Sequence, residues 1–550
     1  MNPSQYVPVA DTVRGLISHY AQLQPNQVYA VFPETDTLLT FKQLEQEVQA
    51  YAAQFNALGL VQGDTISFMM GNGKTPLMLF LSALYTGLMI SPLNPAAGPD
   101  QLGYVLQHSD TRLVFVNAAS KLLLMQLEDQ LPPDIKLIDA HEDFGPSWSK
   151  SSASATKLAS ITPQSDGLLM YTSGTTGRPK GVVLTHENLI AGGMNTAVAH
   201  GLQTTDRGLC VLPLCHINAQ CVSVMSTLVS GSSLVLPHGF SASKFWNWII
   251  NSRCSWFSVV PTIISYLMHQ TSNGLSVKLD SAHTKIRFGR SASAALPPAL
   301  HSGFEERFGV PILETMGLTE TSAQILSNPL PPQITKHGSP GIAYGTQVKI
   351  IDSSGQEVER GFEGELLVKG KCVMRGYYKN PEATQAAIDD QGWFHTGDLA
   401  VMDEDDFCFI TGRIKELIIK GGENIAPREI DDVLYTHPAI MEAAAFGIED
   451  LHYGQDVAAS VVLAQGKETT EAELIAFCKI KLGPVKTPIK INFLHDLPKG
   501  PSGKVQRLKL AHRMENPANW SPKWRFICHG CRTSSKLRRL LTFVGPTLIA

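Results

Sequence analysis

Short apolar runs alternate with amphipathic stretches over the first two thirds of the chain, and the alternation already suggests an architecture. Thr65-Ile-Ser-Phe-Met-Met70 reads as a strand, and the apolar run from Leu77 to Thr86 reads as a core helix ending near Gly87, followed by a strand into Pro92. Pro99 opens another helix, and Val114-Phe115-Val116 is the next strand. Nearer the N-terminus, Thr12-Val13 begins one amphipathic helix, and Thr40 is placed to cap a second, since a threonine hydroxyl accepts an orphan amide of the first turn. Leu168-Leu169-Met170 and Val182-Val183-Leu184 read as buried strands joined by a polar loop. Thr185 can cap a helix over Glu187 to His200, closed by Gly201. Val211 to His216 reads as a strand ending in a loop, Cys221 to Leu228 as a helical apolar run, and Ser258-Val-Val-Pro261 as a strand leading into a helix. Strand and helix alternating at these intervals suit parallel crossovers.

The texture changes near Gly345. Val348 to Ile351, Gly364 to Val368 and Phe407 to Ile410 look like short antiparallel strands with Gly and Asp turns, a small β-subdomain. From Lys415 a compact unit follows: helix Pro427 to Leu434, strands Glu442 to Phe446 and Val457 to Leu463, and helix Glu471 to Lys479. A chain of 550 residues exceeds what one core normally serves. The predicted fold is α/β, with a large N-terminal domain of mixed α/β layers and its β-subdomain (1–414), a small mobile α+β domain (415–514) and a basic tail (515–550).

With 43% apolar and 17% charged residues the chain can build a large core, and a formal charge of −4 provides no global basic field to recruit nucleic acid. Nine cysteines, an odd number, form no disulfide framework and suit a reducing compartment. The N-terminus has neither the basic nor the apolar region of a secretory signal. The apolar run Leu77 to Ile90 is broken by Tyr85, Thr86 and Gly87 and is too short to span a bilayer. A cytoplasmic protein is expected. The tail carries Lys523, Arg525, Arg532, Lys536, Arg538 and Arg539 against Glu515, with a lone Cys528-x-x-Cys531 that makes no zinc framework. It reads as a disordered appendage.

Candidate chemistry starts in the loop Tyr171-Thr-Ser-Gly-Thr-Thr-Gly-Arg-Pro-Lys180. Thr172, Ser173, Thr175 and Thr176 offer hydroxyls, Gly174 and Gly177 let backbone amides approach a ligand, and Arg178 and Lys180 add positive charge. Such a loop suits a polyphosphate, though its spacing is not that of the Walker loop, and a polar surface turn has the same composition. Thr319-Glu320 fits an acidic helix start. Thr396-Gly397-Asp398 is a good turn tripeptide, and Lys504 stands among Lys499, Arg507 and Lys509.

In order, Tyr171 to Lys180, Gly317-Leu-Thr-Glu320, Gly392-Trp-Phe-His-Thr-Gly-Asp398, Gly412-Arg413-Ile-Lys415, Gly421-Gly-Glu-Asn-Ile425 and Ser502-Gly-Lys504 resemble the motifs of the adenylate-forming superfamily, over roughly residues 10 to 512. The resemblance implies a ligase that activates a carboxylate with ATP as an acyl-adenylate, releases pyrophosphate, and passes the acyl group to a thiol, leaving AMP. It implies that residues 172–180 hold the β- and γ-phosphates, that Thr319 contacts the α-phosphate, and that Glu320 ligates Mg²⁺, a hard cation that takes oxygen ligands. It implies that Asp398, assisted by Arg413, accepts from the ribose hydroxyls, as an acceptor-only carboxylate would. Adenine would rest near Ser291 to Ala295, with Ser291, Ala292 and Gly317 among the ATP-binding residues. Met316, where many relatives have an aromatic residue, can still cover a ring face. Lys504 would stabilise charge developing in adenylation, and Lys415 would be the hinge. Gly421, Gly422 and Glu423 would shape the CoA channel, and His216 the mouth of the acyl pocket.

Arg287 to Pro298, Ser327 to Pro332 and Phe240 to Trp246 resemble stretches of oxalate–CoA ligases. Where those enzymes carry two further histidines, this chain has Asn218 and Ala323. Asn218, Gln220 and Gln324 offer amides to a polar acid or serve as core-edge residues. The expected substrate is a small to medium or fatty carboxylic acid and the expected acceptor is CoA, with a carrier protein or a nucleotide-binding pseudoenzyme as alternatives.

Overall fold

A computed structural model describes residues 7–127, 130–148, 158–172, 178–269, 285–500 and 504–515. The polar loop at 173–177 and the tail beyond 515 lie outside them.

Caps start the N-terminal helices where the sequence places them. The Thr12 hydroxyl accepts from Gly15 N at the head of helix Val13–Leu23. Thr40 and Gln43 form a reciprocal capping box on Phe41–Ala57, as Thr185 and Asn188 do on His186–Ala199. The helix Lys74–Thr86 is apolar on every side and buried from Thr75 onward. Such a helix belongs inside a protein, and it joins a core fed by strands of two large sheets.

Among the described residues one sheet has nine strands and another eight. The centre of the first runs parallel through Arg207–Cys210, Trp256–Val259, Phe288–Ser291 and Ile312–Leu318. It turns antiparallel at Ala323–Ser327. The second runs parallel through Thr65–Met69, Met89–Ile90 and Asp166–Thr172, and closes with the antiparallel hairpin Asp166–Thr172/Lys180–Thr185. A four-stranded antiparallel sheet (Gln347–Ile351, Glu363–Lys369, Phe394–Met402, Cys408–Arg413) is the β-subdomain. A five-stranded sheet flanked by Pro427–Tyr435, Glu471–Lys486 and Arg507–Glu515 forms the smaller C-terminal domain, with its own core.

Four expectations need correction. Val211 to His216 is not a strand: the strand is Arg207–Cys210, and beyond it Asn72 satisfies the backbone by donating to Leu212 O and accepting from Leu214 N. The helix expected from Cys221 begins at Asn218 as a wide π-helical stretch to Met225 before tightening over Ser226–Val229. The strands Ile440–Asp450 and Gly454–Leu463 exceed the sequence reading because they pair along their whole length. The helix expected over Glu471 to Lys479 runs on to Lys486, with its break at Gly483, where φ is +75°.

Among the described residues no helix is long and apolar enough to cross a membrane. Seven cysteines lie in the described residues, all free and buried. Burial pushes their thiols up, Cys210 to about 11 and Cys215, Cys254 and Cys372 to about 12.

Candidate active site

Several of the residues singled out by sequence gather where the two large sheets, the β-subdomain and the C-terminal domain meet. The two strands expected around the polar loop pair as a hairpin, Thr172 opposite Lys180 across its mouth. Ser173, Gly174, Thr175, Thr176 and Gly177 lie outside the described residues. The Lys180 ammonium stands 4.6 Å from the centre of the Tyr377 ring, whose hydroxyl donates to Glu320 Oε1 at 3.1 Å. Tyr377 reaches that place because Gly376–Tyr377 pairs antiparallel with Val182 and Val183 of the hairpin. Among the described residues no cation pairs with Glu320. A carboxylate with one oxygen oriented by a hydroxyl and no ion-pair partner fits a hard divalent cation.

Thr319 and Glu320 form a 3-10 turn at the end of Ile312–Leu318, not a full helix. The turn follows a close backbone approach: a Cβ on Gly317 would stand 1.6 Å from Ala323 O. Only glycine lets the two strands meet there. Ser291 and Ala292 are buried at the end of Phe288–Ser291, and the Ser291 carbonyl accepts from Thr315 Oγ1 at 3.2 Å.

Asp398 and Arg413 face each other across Phe394–Met402 and Cys408–Arg413. Arg413 Nε donates to Asp398 Oδ1 at 2.5 Å and Nη2 to Oδ2 at 3.3 Å, a two-point grip that fixes both groups. Burial alone would lower the Arg413 guanidinium pKa; Asp398, then Glu416 and Glu320, outweigh it and hold the pKa above its ordinary value.

Lys504 comes from the C-terminal domain, yet it shares the electrostatics of this cleft. By accessible area the residue is exposed, while many protein atoms surround its ammonium on the inner side. The crowded side decides its charge. Burial and the Arg413 charge lower its pKa, and Asp398, Glu416 and Glu320 pull the other way without restoring it.

Lys415 is exposed in the turn Ile414–Glu416, between the β-subdomain and the C-terminal sheet. Gly421 and Gly422, with φ of +59° and +89°, make the two-residue turn of the hairpin Ile418–Lys420/Glu423–Ile425, and that turn and Glu423 are exposed. His216 is half-buried just before the π-helical stretch, its amide donating to Pro213 O. Sequence reasoning missed Tyr377 and Glu416. Tyr377 lies in the Gly376-Tyr-Tyr-Lys-Asn-Pro run, whose turn composition was the available signal.

The AMP-binding enzyme family matches residues 17–378, and the AMP-binding enzyme C-terminal domain matches residues 429–504. The chain belongs to this family. It is 43% identical to the sulfoacetate–CoA ligase of Cupriavidus necator, with 93% of this chain and 99% of that protein covered. It is 34% identical to the oxalate–CoA ligase of Arabidopsis thaliana, covering 92% and 100%. Among solved structures it superposes on ATP-bound MatB from Rhodopseudomonas palustris with a TM-score of 0.80 at 26% identity, over 92% and 99% of the two chains. This member is an AMP-forming acid–thiol ligase, which joins a carboxylate to CoA through an acyl-adenylate. The expected adenylate-forming enzyme and its α/β fold are both borne out.

Proposed function

We propose that this ligase acts on a small polar carboxylic acid, with the cleft between the β-subdomain and the C-terminal domain as the adenylation site. The observation that carries the reading is the convergence of Lys504, from one domain, with Asp398, Arg413 and Glu320 of the other. In this reading Asp398, gripped by Arg413, accepts hydrogen bonds from the ribose hydroxyls. Thr319 donates to the α-phosphate, and residues 172–180 hold the departing pyrophosphate. Ser291, Ala292 and Gly317 border the adenine. Lys504 donates to the oxygen that bridges carboxylate and phosphorus as charge develops there, a stabilisation that costs no reorganisation when the donor is already positioned. Glu320, oriented by Tyr377, would hold Mg²⁺, which when bound neutralises phosphate charge.

The C-terminal domain, from Lys415 on, is proposed to turn about that residue after adenylation. Turning would withdraw Lys504 and bring the exposed Gly421-Gly422-Glu423 hairpin to the adenylate for attack by the CoA thiol. The hinge lies in a short exposed turn between two sheets, where a few residues can absorb large dihedral changes. His216 is proposed for the mouth of the acyl pocket. The buried thiols suit a cytoplasmic setting, and the small polar acid is consistent with the names of the sulfoacetate and oxalate relatives.

The test is pyrophosphate release against a panel of carboxylates, with and without CoA. Release that depends on a small polar acid, with acyl-CoA and AMP appearing once CoA is added, is the expected result. Equal release with long-chain acids, or product only with a carrier protein, would overturn the substrate or the acceptor.

A further inference from the structure

Arg290 is buried, with 1% of its surface accessible, and no acid pairs with it among the described residues. It sits in Phe288–Ser291 and points into a set of neutral oxygens. Its Nη1 donates to Asn218 Oδ1 at 3.2 Å and to Ser258 Oγ at 3.0 Å; its Nη2 donates to Thr315 Oγ1 and, at 3.2 Å, to Gln324 Oε1. The Nε–H is buried without an acceptor, and so is the Gln324 Nε2 amide beside it. His200, the nearby ionisable group, is also buried, and burial together with the charges of Arg290 and Arg287 keeps it neutral. Burial pushes the Arg290 guanidinium down to about 9. A buried cation with only neutral partners is costly unless something anionic completes the site, and the two orphaned groups are both donors.

The position of this cluster limits what can complete it. Gln324 lies opposite Gly317 in the antiparallel pair, and Thr319 is two residues further along. Thr319 opens the 3-10 turn, and two residues of chain span at most about 7 Å. An acid whose carboxylate attacks the phosphate held by Thr319 therefore reaches the Arg290–Gln324 donors with only a very short backbone.

We propose that Arg290 and Gln324 form an anion subsite for the far end of the acid, so that the substrate class is a two- or three-carbon acid bearing a second anionic group, carboxylate or sulfonate. This rests on the ligase reading above and deepens it. Arg290 selects the substrate by its fixed charge, and Asn218, Ser258 and Thr315 hold the guanidinium in place. The bound anion takes the Nε–H and the Gln324 amide as its own donors.

The test is acid-dependent pyrophosphate release by the full chain with sulfoacetate, malonate and oxalate against propionate and butyrate of similar size, and with adipate as a longer diacid. Wild-type protein is expected to favour a short dianion over its monoanionic counterpart by about 100-fold in kcat/KM, the scale of a buried charge pair. The sulfonate and carboxylate arms show which far group is preferred. In Arg290→Gln that preference should fall to near unity, and Arg290→Lys should restore part of it. A wild type that takes propionate or butyrate as readily as any dianion overturns the proposal, and so does one that prefers adipate. An Arg290→Gln that loses activity equally toward every acid makes the residue a structural strut and also overturns it. Should that variant fail to fold, the wild-type panel alone decides. No release with any acid sinks the ligase reading itself, which separates the two failures.

Discussion

On the proposed roles, Lys504 is the residue on which the two half-reactions divide. If it acts only while the carboxylate attacks the α-phosphate, Lys504→Ala should lower acyl-adenylate formation by about 10²–10³-fold, the usual cost of losing one positioned donor to developing charge. Conversion of supplied acyl-adenylate to acyl-CoA should be spared, and single-turnover assays of each half-reaction check this. Equal loss in both would remove Lys504 from the role. The pH dependence follows from its surroundings. Burial and Arg413 lower the ammonium pKa, so the charged form is lost at a lower pH than for a free lysine. Adenylation should therefore show an alkaline limb below the ordinary lysine range, absent from the second half-reaction. At the same scale, the sequence named Asp398, Arg413, Glu320 and Lys504 because each lies in a local motif. It did not name Tyr377 or the role of Arg290, since their partners are distant in the chain: Tyr377 meets Glu320, and Arg290 meets residues from four separate elements.

Elements were legible wherever one interaction along the chain decides them. The Thr40 and Thr185 caps, the hairpin around the polar loop and the helix ended by Gly87 follow from local composition. The stretch after Cys210 was not legible, because it is held by Asn72 from 140 residues away. The π-helical start at Asn218 was hidden for a related reason: its Asn218 side chain is engaged by Ser258 and Arg290 from other strands. The most exacting element is the meeting of Ile312–Leu318 with Ala323–Ser327 at Gly317. A methyl group there would strike backbone, which no rotamer change relieves. Gly317→Ala should cost about 3 kcal/mol, the upper end of overpacking, and should displace the Thr319–Glu320 turn. A lowered thermal midpoint together with weakened pyrophosphate release is expected; an unchanged midpoint would show that the strands can part.

At the scale of the whole molecule, this structure holds one orientation of the C-terminal domain, with Lys504 turned into the cleft and the Gly421-Gly422 turn exposed. Arg428 helps to hold it, donating to Ile410 O at 2.5 Å and Gly338 O at 3.1 Å in the larger domain. Hydrogen bonds from a charged donor contribute about 1.5–3 kcal/mol each, so Arg428→Ala should depopulate this orientation and slow adenylation about tenfold or more. Thioester formation from supplied adenylate should be unaffected or faster, and a parallel fall in both steps would mean that Arg428 does not distinguish the orientations. The division into a large and a small domain was legible from the change of texture after Gly345 and Lys415, but their relative placement depends on contacts such as these, which no local pattern encodes. An enzyme of this kind makes a potent acylating agent beside its own thiols, and the buried cysteines bear on how it survives doing so. With Cys210 raised to about 11 and Cys215, Cys254, Cys372 and Cys408 to about 12, almost none of these sulfurs is thiolate near neutral pH, and the thiolate is the nucleophile. These thiols are thereby protected from acylation by the adenylate-forming chemistry, for which the thiol of CoA is the proposed nucleophile. None of the seven buried cysteines should take up a maleimide label before unfolding; rapid labelling of any of them in the native enzyme would remove that protection.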